Sequence, residues 1–246
     1  MPESAYLLCA AAGLVAGVIN VIAGGGSFLT LPILLFLGLP AAEANGTNRV
    51  GVLAQNVGGV WGFHRHAALD WRWALTASIP AVAAATVGTW AALVIPDFAF
   101  RRVLALAMLA ITLWTVIRPS PVVAGSVRPA SHPAVITSFV LVGLYGGFLQ
   151  AGVGFLVLAA TSWAGLDLVR GNAIKVLSML LLTVLSLAIF AGAGHVHWGL
   201  GLALGAGNFA GGLIGVRLAV LRGHRWLQRA VTATIVLFAI LLWTTG

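Results

Sequence analysis

The sequence predicts an all-α polytopic membrane protein built from two inverted repeats, and three observations carry that prediction. Of the 246 residues, 61% are hydrophobic and only 7% charged, with a mean hydropathy of +1.06; a soluble domain carries roughly 25% charge. The two halves of the chain match each other at a constant offset. Each half also opens on a long apolar segment interrupted by glycines, Gly24, Gly25 and Gly26 in the first and Gly152 and Gly154 in the second. At about 20 apolar residues per membrane helix, the length admits roughly eight to ten membrane elements. That leaves no room for a soluble catalytic or nucleic-acid-binding domain, so residues 1–246 read as one transmembrane domain.

The duplication divides the chain into a first repeat over about 5–118, a Pro/Ser/Gly-rich linker over 119–133 and a second repeat over about 134–244. Phe28, Asn45, Trp71, Gly88 and Arg102 fall on Phe155, Asn172, Trp198, Gly215 and Arg229, each pair 127 residues apart. Ahead of the glycines, Gly13, Gly17 and Asn20 meet Gly143, Gly147 and Gln150 at an offset of 130, which puts one short gap at the glycine cluster itself. Trp, Asn and Arg seldom coincide by chance in so apolar a composition.

The first broken segment covers 6–37. Its thirty or so residues make about 45 Å of helix, too long for one perpendicular crossing, while the dozen beyond the glycines are too few for a second full span. The residues before it, Met1 to Ser4, hold no basic side chain, and glycines stand where a cleavage site would be, so the segment reads as structure rather than a signal peptide. Three helices follow, over about 44–63, 71–95 and 101–117. The second repeat copies the plan with a broken segment over 135–164 and helices over about 169–191, 198–221 and 226–242, and helix starts are expected at Ser27 and Phe155.

Thirteen lysines and arginines against five carboxylates give a net charge of +8, but the basic residues sit mainly at the ends of apolar runs. That is a topology signal and not a nucleic-acid groove. The turn from His64 to Arg72 is basic and reads as cytoplasmic, whereas its counterpart, Gly192 to Trp198, has no lysine or arginine. The turn from Leu221 to Arg229 is strongly basic, unlike its counterpart after Ile95. Equivalent loops on opposite sides mean inverted repeats, each broken segment entering and leaving on one face, with both termini outside. The tryptophans near span ends, Trp71, Trp198 and Trp226 among them, suit an interfacial belt.

Cys9 alone makes no disulfide or cysteine cluster. The pairs His64/His66 and His195/His197 lack a third metal ligand, and no nucleophile and base stand together as an enzyme would need. No metal, cofactor or nucleic-acid partner is therefore expected. What remains is a set of polar and glycine positions at membrane depth. Glycine lets the backbone leave a helix without a Cβ penalty, and the freed amides must face protein, water or a ligand. Helix N-termini at such a break favour an anion, and paired breaks in corresponding halves point to a transporter's midplane site. Close helix packing through small residues is the competing explanation. Thr47, Asn48 and Asn172 lie on the helices that follow the breaks, and so does Lys175, the only lysine in the chain. An ammonium at that depth needs a partner: Asp167 in the preceding loop, the interface reached by snorkelling, or a bound anion. Asn20, Gln55, Gln150 and Asn208 are secondary candidates, as suited to bonds between helices as to ligand contact.

The run GLVAGVINVIAGGGSFLTLPILLFLGL followed by ANGTNRV, with its degenerate repeat GLYGGFLQAGVGFLVL and RGNAIKV, resembles the sulfite exporter TauE/SafE family, also called the toluenesulfonate uptake permease family. The resemblance covers nearly the whole chain and implies a bacterial inner-membrane carrier for sulfite, thiosulfate, sulfonates or related anions. It departs from the pattern in the second repeat, where the third glycine is missing and Ala159 stands in place of Pro32. The expectation is a small-anion transporter working by alternating access, with an anion channel or a non-transporting assembly partner as alternatives. The anion would rest on amides near Ser27 and Phe155, on Thr47, Asn48 and Asn172, and on the charge of Lys175. The implied partners are that anion, the lipid bilayer and, should the chain form a homodimer, a second copy.

Overall fold

The computed structural model of the chain describes residues 1–22, 24–65, 70–117 and 132–221. These form nine helices: α1 (Glu3–Ile22), α2 (Ser27–Phe36), α3 (Ala41–Arg65), α4 (Trp71–Val94), α5 (Asp97–Ile117), α6 (His132–Phe148), α7 (Val153–Trp163), α8 (Leu168–Gly192) and α9 (Trp198–Leu221). The expected broken segments are α1 with α2 and α6 with α7. Most of the linker, His66 and the expected last helix at 226–242, with Trp226, lie outside the described residues.

Local chemistry sets the ends. Gly24 closes α1 with a left-handed φ of +91°, and its N–H donates to the Ile19 carbonyl at 3.3 Å, a common way to finish a helix. α3 begins at Ala41, ahead of the expected residue 44, because Pro40 fits a helix start and its carbonyl accepts from Ala44 N–H at 2.8 Å. The same logic starts α5 at Asp97, four residues before the expected Arg101: Pro96 precedes it, and the Pro96 carbonyl accepts from Phe100 N–H. Asp70 and Asp167 cap α4 and α8, their carboxylates accepting from Trp73 N–H and from Val169 and Arg170 N–H, the usual work of an N-cap.

Four described helices contain stretches long and apolar enough to cross a membrane, Glu3–Ile22, Trp71–Val94, Val169–Gly192 and Trp198–Leu218. Large apolar side chains point outward from them, with Leu7, Ile79, Trp90 and Leu202 each more than 60% exposed, as lipid-facing side chains are. α3 is the contrary case. It buries Asn45, Thr47, Asn48, Arg49, Gln55 and Asn56, affordable only because protein surrounds it.

Packing couples the halves crosswise. α1 runs along α9, and α6, the expected counterpart of α1, runs along α4. Both seams are lined by glycine: Gly207, Gly211 and Gly215 lie on the backbone of α1 near Ala10, Leu14 and Val18, and Gly143 and Gly147 lie on α4 at Ala81 and Ala85. These contacts advance together along both chains, so each seam joins parallel helices. α3 lies parallel to α9, Val50 against Gly201 and Gly62 against Val216, and antiparallel to α8, Gly46 against Phe190 and Gly59 against Val176. The seams run in series from α1 through α9, α3, α8 and α4 to α6, with α3 and α8 at the middle.

Candidate functional site

The two glycine breaks meet. A Cβ on Gly24 would run into the backbone of Gly154, and one on Gly154 into that of Gly24, while a Cβ on Gly152 would strike the ring of Phe28. Gly24 and Gly152 hold φ of +91° and +77°, and Gln150 holds +60°, the region where glycine is at ease and other residues are rare. Gly25, Gly26 and Ser27 are buried beside them. α2 starts at Ser27, as expected, and α7 at Val153, two residues before the expected Phe155, so Gly154 lies inside its first turn. Gly26 and Gly152 stand at the two N-cap positions, and neither helix has a side-chain cap. Two positive helix ends therefore lie at the place where the breaks touch, their first-turn amides at Phe28 and Phe155 donating to the Gly25 and Gly152 carbonyls, both at 3.0 Å.

The negative ends of α1 and α6 carry buried cations instead. Lys175 Nζ donates to the carbonyls of Asn20 and Val21 at 2.8 and 2.7 Å and to Asn172 Oδ1 at 2.7 Å. All three ammonium donors are used, and α8 thereby holds the end of α1. Asp167 is not among its partners: that carboxylate caps α8 and pairs with Arg170 at 3.5 Å, which removes the Lys175–Asp167 pair as an alternative. At the other break, Arg49 Nη2 donates to the carbonyls of Gly146 and Gly147, and Asn45 Nδ2 to that of Phe148 at 2.7 Å, so α3 holds the end of α6. The Arg49 guanidinium lies over the Phe190 ring, 4.9 Å from its centre. Cations at helix C-termini are favourable, and both are almost wholly shielded, Arg49 at 0% and Lys175 at 2% exposure.

The remaining candidates divide between these two centres and elsewhere. Asn20 donates to Gln55 Oε1 at 2.8 Å, and Gln55 donates on to Asn56; its counterpart Gln150 donates to Thr183 Oγ1. Asn48 accepts from Thr30 of α2 at 2.6 Å, and its own amide group has no partner among the described residues. Thr47 stands apart, because its hydroxyl accepts from the His197 N–H at the start of α9. Asn208 lies against Gly51 between α1 and α3. Sequence reasoning missed Arg49 as a site residue: the basic residues read mainly as topology signals at the ends of apolar runs, yet Arg49 sits inside α3. The available signal was a charge one residue beyond Asn48 in a helix with no neighbouring carboxylate, a position where ionisable residues are costly and functional.

A family model described as "Sulfite exporter TauE/SafE" matches residues 9–242. Among curated proteins, the chain is 28% identical over 243 residues to a Sinorhizobium protein named "Probable membrane transporter protein ORF9", covering 97% of this chain and 91% of that one. It is likewise 28% identical over 232 residues to a "Probable membrane transporter protein" of Haemophilus influenzae, with coverage of 92% and 89%. With Escherichia coli K12 "Probable membrane transporter protein YfcA" it shares 26% over 221 residues, 87% of this chain and 81% of the relative. No solved structure matches the chain significantly.

Proposed function

The chain belongs to the TauE/SafE sulfite exporter family of membrane transporters, and from that premise we propose that it carries a small oxyanion, a sulfur oxyanion or organosulfonate, across the bacterial inner membrane by alternating access. The observation that supports this reading is electrostatic. Two helix starts without side-chain caps, Ser27 and Val153, lie where the breaks meet, and Arg49 and Lys175 lie buried at the opposing helix ends. None of the five carboxylates is buried: Glu3, Asp70, Asp97 and Asp167 are exposed and Glu43 is half-buried. An interior so arranged attracts anions and offers no acidic relay for protons. Within it, Gly24, Gly25, Gly26, Ser27, Gly152 and Gly154 shape the seat, while Asn48, Asn172 and Lys175 support it; Thr47, which holds the start of α9, takes no part.

Alternating access is supported by the crosswise seams and by the antiparallel run of α3 against α8, the expected repeat counterparts. Opposed directions of equivalent helices are what inverted repeats across a membrane require. Counterflow tests the proposal: liposomes containing the protein and preloaded with unlabelled sulfite should transiently concentrate labelled sulfite with saturable kinetics. A pore equilibrates label without concentrating it. Absence of flux for sulfite, thiosulfate and sulfonates alike would remove the reading.

A further inference from the structure

Arg49 differs from Lys175 in one respect that bears on ligand chemistry. Lys175 has every donor engaged, whereas Arg49 engages only Nη2; its Nε and Nη1 are buried and have no partner among the described residues. Among the described residues its partners are neutral, two carbonyls of α6 and the Phe190 ring, and Asn45, one turn earlier on α3, likewise has an Oδ1 with no partner there. A guanidinium fully removed from water and given no counter-charge is strongly unfavourable. Nothing acidic in the described interior offsets it.

We propose that Arg49 is a substrate-contacting residue: its Nε and Nη1 donors receive an anion presenting two or more oxygens, while Nη2 stays on the Gly146 and Gly147 carbonyls. This rests on the anion-carrier reading above and deepens it, because it names the selecting group. A guanidinium is a fixed planar array of donors that meets two oxygens at once, which a halide does not supply and an ammonium does not match. The anion so held is an oxyanion such as sulfite, a sulfonate or a carboxylate. Because the guanidinium is closed to water here, the anion reaches it when the end of α6 moves from α3. Binding at Arg49 is then tied to the contact between the halves.

The test is anion affinity of the purified full-length protein, measured as ligand-induced thermal shift and equilibrium binding with sulfite, methanesulfonate and bromide. Wild type should prefer the two oxyanions to bromide. Arg49→Lys keeps a charge and a donor for the α6 carbonyls, so it should bind bromide about as wild type does while losing roughly tenfold or more for both oxyanions. A merely structural role would move all three affinities together. Phe190→Leu, which removes the aromatic face beneath the guanidinium, should weaken oxyanion binding about threefold and decides the matter if Arg49→Lys does not fold. An unchanged oxyanion preference in Arg49→Lys, or unchanged oxyanion affinity in Phe190→Leu where that variant is the arbiter, overturns the role of Arg49 while leaving the carrier reading standing. A wild-type protein that binds none of the three overturns both.

Discussion

Lys175 joins the body of α8 to the last turn of α1 through two backbone carbonyls, with Asn172 completing its shell. Replacing it with methionine keeps the approximate length and leaves the Asn20 and Val21 carbonyls without their donor, at about 1–3 kcal/mol for each buried group left unmade. Lys175→Met should therefore lower the melting temperature and also weaken anion binding, by about ten- to a hundredfold if the charge helps hold the ligand. Asp167→Ala removes an N-cap, costs about 1 kcal/mol and should leave anion affinity alone. A dissociation constant unaltered by Lys175→Met would restrict that residue to fastening α1. The importance of Lys175 was legible because it is the only lysine in an apolar chain. Its partners were not, since Asn20 and Val21 lie more than 150 positions away and contribute backbone, which carries no residue signature. Arg49 falls inside the expected helix at 44–63, but the basic residues as a class read as topology signals, and its partners at Gly146 and Gly147 are again backbone.

Most elements were readable from apolar run length alone, and the glycine breaks were visible as composition. The starts of α3 and α5 were misplaced by three and four residues because Pro40 and Pro96 allow a helix to begin in what reads as loop. What no one-dimensional pattern disclosed is which seams the other glycines serve. Gly211 of α9 lies on Leu14 of α1 so closely that a Cβ would press on the Leu14 carbonyl, a backbone atom that has no rotamer to yield. Gly211→Leu should accordingly separate α1 from α9, seen as loss of a monodisperse protein after solubilisation. Gly192, at the end of α8, has open space around its Cβ position. Gly192→Ala should keep the melting temperature or raise it, alanine being favoured over glycine in a helix by about 1 kcal/mol. Equal behaviour of the two variants would show that glycine in α9 is not a packing requirement.

For the molecule as a whole, the inverted arrangement predicts that the loop between α8 and α9 and the loop between α3 and α4 face opposite sides of the membrane. In a Cys9→Ala background, Ala193→Cys should react with an impermeant thiol reagent added outside intact cells, and His64→Cys should react only after the cells are opened. Labelling of both from one side would refute the inversion. The buried pair Arg49 and Lys175 has a consequence of a different kind, in the response to membrane potential. Each elementary charge that crosses the full field is worth about 2.3 kcal/mol per 100 mV, and a binding site that carries fixed positive charge experiences part of that field whenever it changes its access from one side to the other. A bound divalent anion, such as the sulfite dianion, cancels the charge of this pair, so the loaded carrier should turn with little regard to voltage and the empty one with much. With the potential of proteoliposomes set by a potassium gradient and valinomycin, net uptake should depend steeply on voltage while anion-for-anion exchange, which bypasses the empty return, should not; equal steepness in the two modes would refute this. A cell that holds its membrane potential would thereby set how quickly the unloaded carrier comes back for its next anion.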